Sequence, residues 1–198
     1  MNFLAHLYLA EKSEESLVGN LLGDFVKGLP DRLVGQYPTG IITGIRQHRA
    51  IDYFTDLHPT FRQARELLSP ERRRLAGIIV DVYYDYFLSQ NWPGGQKARR
   101  EFIQYCHDVL IAREEWQPLN FREMLPRMIS ERWLDSYSSI DGLALTFRRV
   151  STRVPITAKV LGAEDEFLKN QKAFEKLYSE FFPQLETFSE NWVESQTT

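Results

Sequence analysis

Apolar residues recur at intervals of three and four along most of the chain, and no stretch alternates convincingly with the period of two that a half-buried strand requires. The opening Met1–Ala10 is apolar but contains His6, lacks a basic leader and runs straight into Glu11-Lys12-Ser13-Glu14-Glu15. This predicts a first helix and neither a signal peptide nor a membrane span. A second helix is expected from Ser13 or Glu14 to Val26, stopped by Lys27-Gly28 and Pro30. After a loop from about Leu29 to Gly40, Ile41–Leu57 forms a third helix, and Pro59 opens the next segment. Ser69-Pro70-Glu71 reads as a helix start with proline at the first helical position, leading into a stripe of Leu75, Ile78, Ile79, Val82 and Tyr86. Beyond the Asn91–Gly95 turn, helices are expected at about 96–116, 118–135 and 138–152. A long last helix follows, with Phe167, Phe174, Tyr178, Phe181, Leu185, Phe188 and Trp192 along one side. That side packs on a core or forms a dimer seam, and Pro183 argues against an extended coiled coil. The tail Ser195–Thr198 is expected to be disordered. The pattern predicts an all-α, single-domain helical bundle over residues 1–198, and leaves the oligomeric state open.

Three of these helices place an aspartate seven residues after an apolar residue: Leu17 to Asp24, Ile45 to Asp52 and Ile78 to Asp85. Each aspartate has a polar companion four residues earlier, namely Asn20, His48 and Asp81, which is a rotation of roughly 40° and so the same helix face. An unpaired buried carboxylate costs several kcal/mol, so three such positions call for a compensating charge. A hard divalent cation is one; a network of ion pairs to arginines is another. Carboxylates and imidazoles without a thiolate suit Mn²⁺, Mg²⁺ or Fe²⁺ better than a structural Zn²⁺.

Composition narrows the class. With 43 % hydrophobic and 13 % aromatic residues in 198, the chain can build one aromatic-rich core. Its single cysteine, Cys106, has no internal disulfide partner and sits among apolar residues, and cytoplasmic residence is the expectation. A formal charge of −3 implies no partner, but its distribution is uneven. Arg46, Arg49, Arg62, Arg65, Arg72, Arg73 and Arg74 make the region around the acidic pairs basic, which suits a solvated face or recognition of an acidic protein or other anion. No Lys-rich tail or recognised motif points to nucleic acid.

The blocks that carry these residues also resemble a known family. They are Asn2-Phe3-Leu4-Ala5-His6-Leu7, Gly19-Asn20-Leu21-Leu22-Gly23-Asp24-Phe25-Val26-Lys27-Gly28, Gly44 to Asp52 with Thr55-Asp56, and Asp81-Val82 with Asp85-Tyr86-Phe87-Leu88. In order and spacing over roughly the first 92 residues they look like acyl carrier protein phosphodiesterase. That family is similar to the HD-domain metal-dependent phosphohydrolases, with a ligand order of its own, so the resemblance implies an HD-domain-like fold. It also implies hydrolysis of the phosphodiester between 4′-phosphopantetheine and a serine of acyl carrier protein, with Mn²⁺ as the ion. Two positions depart from the family pattern: Tyr86 and Asn91 stand where histidines are expected.

On that footing Asp24, His48, Asp52 and Asp85 are the expected metal ligands, with Asp81 as a further ligand or the carboxylate that orients an imidazole. His6 is a ligand, a general acid or a core histidine. Lys27 and Arg49 stabilise charge on phosphoryl oxygens, and Arg46, Arg62, Arg65 and Arg72–Arg74 attract the acidic carrier. The literal His107-Asp108 pair lies outside the matching blocks and is read as structural, and His58 as a loop residue. Two alternatives stay open: the same chemistry on a nucleotide or small phosphate ester, and a non-catalytic helical module that binds an acidic partner.

Overall fold

The computed structural model describes residues 1–196, and among them every regular element is a helix. In chain order these are α1 (Phe3–Leu9), α2 (Glu14–Leu22), α3 (Thr39–Leu57), α4 (Pro59–Glu66), α5 (Ala76–Gln90), α6 (Gly95–Ala112), α7 (Leu119–Ser130), α8 (Trp133–Ser136), α9 (Ile140–Ser151) and α10 (Ala163–Gln196). Short 3₁₀ turns join several of them. The all-α expectation holds, and the apolar stripes meet in one contiguous core that includes Tyr83, Phe87, Phe147, Phe167, Phe174 and Phe181. No helix among the described residues is long and apolar enough to cross a membrane.

Among the described residues helices α2 and α3 pack most extensively, and glycine lets them approach. A Cβ on Gly19 would stand 2.4 Å from the Ile41 carbonyl oxygen and 2.9 Å from the Gly44 Cα. Backbone atoms at that distance cannot yield, so only glycine fits at the crossing. The Ser13 hydroxyl caps α2 by accepting from the Ser16 amide at 3.1 Å, with Glu14 and Glu15 in the favourable first turn.

A polar network ties the end of α1, the middle of α3 and the last third of α10. The Gln47 amide donates to the Leu9 carbonyl at 2.8 Å and to the Ser189 hydroxyl at 3.0 Å, while its oxygen accepts from the Asn20 amide at 2.8 Å. Tyr8 donates to Glu186 on α10 at 2.7 Å. The long helix is thus a core element: Phe167, Phe174, Tyr178, Phe181 and Leu185 are buried, against the seam alternative.

Several boundaries differ from the sequence reading. Helix α2 ends at Leu22, and Gly23–Phe25 form a turn in which the Phe25 and Val26 amides both bond back to the Leu22 carbonyl. Asp24 therefore projects from a turn and not from a helix face. Ser69-Pro70 does not start a helix; α5 begins at Ala76 after a 3₁₀ turn at Arg73–Leu75, and the Ser69 amide donates instead to Glu166 at 3.0 Å. The expected helix at 118–135 breaks at Arg132, whose φ of 52° is left-handed. Ser195 and Gln196 belong to α10 and are not a disordered tail, while Thr197 and Thr198 lie outside the described residues.

Candidate functional site

The (i, i+4) pair on α3 supplies the centre of the site. His48 is 3 % exposed and its Nδ1 lies 2.7 Å from the Asn20 carbonyl oxygen. A carbonyl can only accept, so Nδ1 carries the proton and Nε2 faces the carboxylates. From Nε2 the Asp52 Oδ2 is 3.1 Å away and the Asp24 Oδ1 3.5 Å. Helix α1 brings His6 from the other side: its Nε2 is 3.1 Å from Asp52 Oδ1, and its ring stacks on that of His48 with centroids 3.7 Å apart. Gly23 makes room for the pair, since a Cβ there would lie 2.2 Å from the His48 Cγ.

The donor set fits a divalent cation. One ligand atom each from His6, His48 and Asp52 lie within 4.8 Å of one another. Two donors at about 2.2 Å from one ion and at right angles are about 3.1 Å apart, the spacing that Asp52 keeps from both imidazoles. The His6 Nδ1 is buried without a hydrogen-bond partner, an uncompensated polar atom in the ion-free arrangement. Asp24, with its side chain 52 % exposed, opens this cluster to solvent.

Electrostatics follow from this crowding. Burial opposes charge on His48, but Asp24 and Asp52 outweigh it and push its pKa up to about 9. Burial and then the charge of His48 hold His6 down to about 4. Asp52 is held well below the carboxylate range against burial, by the Met1 ammonium at 3.0 Å and then by the two histidines. Asp81, 3.2 Å from the same ammonium, is raised by burial to about 6.

Other expected site residues take different positions. Asp85 is not brought into the cluster: its Oδ2 accepts from the Leu4 amide at 2.9 Å and its Oδ1 from the Ala5 amide at 3.2 Å, so it caps α1 from within the core. Burial pushes its carboxyl up to about 8 against those two amides. Arg49 is not free for a phosphoryl group, because its guanidinium donates to the Gly28 and Val26 carbonyls at 2.6 and 2.8 Å and so braces the loop after Asp24. Arg46 pairs with Asp31. Arg72 is structural as well, donating to the Lys159 and Leu161 carbonyls at 3.0 and 2.5 Å and pairing with Glu166. Arg62, Arg65 and Arg73 do line one surface cleft with Glu66, and Arg74 and Lys27 are exposed. His107 is buried on α6 outside the cluster, and His58 caps α4, with its Nδ1 3.4 Å from the Thr60 amide.

A family model for acyl carrier protein phosphodiesterase matches residues 1–185, a span that contains every element of this cluster. The chain belongs to the acyl carrier protein phosphodiesterase family. Family members named acyl carrier protein phosphodiesterase include that of Photorhabdus laumondii, 34 % identical over 193 residues that cover 96 % of each chain. The protein of Enterobacter sp. (strain 638) is 35 % identical, with 96 % of this chain and 98 % of the relative covered. That of Yersinia enterocolitica is 35 % identical over 92 % of this chain and 94 % of its own. No solved structure matches the chain.

Sequence reasoning missed four contributors. The Met1 ammonium and the Asn20 carbonyl are backbone groups, invisible to a side-chain pattern. Trp133 and Arg153 come from the second half of the chain and, with Phe3, Asp24 and Arg149, line both of two adjoining cavities beside the cluster. The only signal in the sequence was the spacing of Arg149 and Arg153, which shares one face of α9 and the turn after it.

Proposed function

We propose that this protein hydrolyses the phosphodiester between 4′-phosphopantetheine and the serine of an acyl carrier protein, leaving apo carrier and free 4′-phosphopantetheine. The family match across residues 1–185 carries this reading, since it spans the whole His6–His48–Asp52 cluster. His6, His48 and Asp52, with Asp24 at the open side, would hold a divalent ion; the family resemblance points to Mn²⁺, and a mixed imidazole–carboxylate set also accepts Fe²⁺ or Mg²⁺. When bound, that ion supplies positive charge against the phosphoryl oxygens and acidifies water beside them.

The chain's own groups do the positioning. The Asn20 carbonyl keeps the His48 proton on Nδ1, and the stacked His6 ring prevents His48 from swinging away. Asp81 lines the cavity next to Asp24, and its carboxyl, raised by burial to about 6, keeps a minor protonated fraction near neutrality that can pass a proton to the departing serine oxygen. Lys27 lies exposed three residues after Asp24 and would add positive charge near the phosphoryl group. Arg62, Arg65, Arg73 and Arg74 offer an exposed basic surface for an acidic carrier, with attraction screened over roughly 8 Å at physiological salt.

Incubation with holo carrier protein and Mn²⁺, followed by intact-mass measurement, tests the reading. Loss of the 4′-phosphopantetheine mass from the carrier, blocked by chelator, is the expected result. A carrier of unchanged mass, or one cleaved elsewhere in the prosthetic arm, would overturn it.

A further inference from the structure

Asp24 borders a cavity of about 130 Å³ that also touches Met1, Asp81 and Tyr137, and a second of about 460 Å³ that reaches Phe25 and Met124. Shared walls at Phe3, Trp133, Arg149 and Arg153 make the two one groove leading away from the cluster. The combined space falls in the range of small-molecule sites, and its walls mix aromatic faces with a few charges.

Three arginines stand along this groove, and two of them are already engaged. Arg149 donates to the Glu131 side chain and carbonyl at 3.1 Å each and to the Ser136 hydroxyl at 3.3 Å, and its guanidinium lies over the Trp133 ring at 5.3 Å. Arg127 donates to the same Glu131 at 2.6 Å. The Arg153 side chain makes no ion pair or hydrogen bond among the described residues, although it lines both cavities beside Asp24. An unpaired guanidinium beside a carboxylate-rich cluster offers a planar fork to an oxyanion such as a phosphate.

We infer that Arg153 binds the phosphate of the substrate's phosphodiester and that the groove along Trp133, Phe3 and Phe25 seats the pantetheine arm. The inference rests on the reaction proposed above and adds the part of the substrate that the second half of the chain recognises. Arg149, held by Glu131 and stacked on Trp133, fixes the wall against which that arm lies and is a positioning residue.

Calorimetric binding of 4′-phosphopantetheine and of pantetheine, which lacks the phosphate, to the wild type, Arg153→Ala and Arg153→Lys separates charge recognition from arm recognition. Removing one charge-assisted contact should weaken 4′-phosphopantetheine binding and kcat/KM on holo carrier by roughly 10- to 100-fold, with pantetheine binding unchanged. Lysine should restore part of the loss, and the thermal midpoint should stay put because the side chain is exposed and unpaired. Equal binding of 4′-phosphopantetheine by wild type and Arg153→Ala would overturn the inference while leaving the reaction intact. So would an equal loss for both ligands, which would mark Arg153 as structural. A wild type that leaves holo carrier uncut but binds 4′-phosphopantetheine through Arg153 would instead sink the reaction and keep the site.

Discussion

Replacing Gly23 by alanine should damage the site although alanine is the better helix former. The backbone at Gly23 is right-handed helical, with φ −52° and ψ −35°, so the substitution brings no backbone strain. Reduced freedom of the unfolded chain alone would then stabilise the protein by about 0.4–1 kcal/mol. Against this, the new methyl carbon would sit 2.2 Å from His48 Cγ, 2.3 Å from Cδ2 and 2.7 Å from Cβ. The ring has no room to retreat, because Asn20 holds its Nδ1 at 2.7 Å and His6 stacks on it at 3.7 Å. Overpacking of this kind costs typically about 1–3 kcal/mol, and contact as close as 2.2 Å with a confined ring belongs in the upper part of that range, which leaves a net loss of roughly 1–2.6 kcal/mol. For a chain of this size the thermal midpoint of metal-free protein should fall by roughly 2–8 °C. A displaced imidazole should also weaken Mn²⁺ binding by roughly 10- to 100-fold, measured by calorimetry. Gly77→Ala is the control, since a Cβ there meets nothing within 4 Å and should raise the midpoint. A Gly23→Ala protein as stable as Gly77→Ala, with unchanged Mn²⁺ affinity, would refute the confinement of His48.

Asp85→Ala should lower unfolding free energy by roughly 2–5 kcal/mol, because two buried amides of α1 lose their acceptor, yet the folded fraction should keep wild-type Mn²⁺ stoichiometry; equilibrium denaturation and metal analysis check both. In metal-free wild type the charged His48 stabilises fully below about pH 6.5 and that contribution is lost as pH rises through about 9, while the depressed Asp52 contributes above about pH 4 and its contribution is lost on acidification. Asp52→Ala should flatten both arms of the stability profile and abolish turnover of holo carrier; urea titrations across pH would show an unchanged profile if the pairing were unimportant. Charge reversal at Arg62, Arg65 and Arg73 should reduce kcat/KM for carrier more at low salt than at high and leave the melting temperature unchanged, whereas Arg72→Glu should lower the melting temperature.

The helices and the His48–Asp52 pair were legible because they depend on local rules. The 3.6-residue period located α3, and its (i, i+4) spacing placed His48 beside Asp52. Asp85 shows where that logic stops. A carboxylate on a buried helix face needs compensation, but sequence does not say whether the compensating group is an ion or, as here, the free amides of a helix 80 residues away. The same holds for the arginines. Arg49 and Arg72 satisfy carbonyls of neighbouring loops, a use that charge patterning cannot tell from docking. Arg153 and Trp133 share cavities with Phe3 at the start of α1, a juxtaposition that only the tertiary fold creates.

The way α1 is held has a consequence for when the enzyme comes into being. Seven residues are too few to persist as a helix alone, since isolated helices shorter than about 12–15 residues are marginal. Its anchors lie 81 residues downstream at Asp85, 178 at Glu186 and 180 at Ser189. At a ribosomal pace of about 5–20 residues per second, Ser189 follows Leu9 by roughly 10–40 seconds. His6 therefore leaves the ribosome first among the cluster residues, while the last anchors of the helix that carries it follow only with α10.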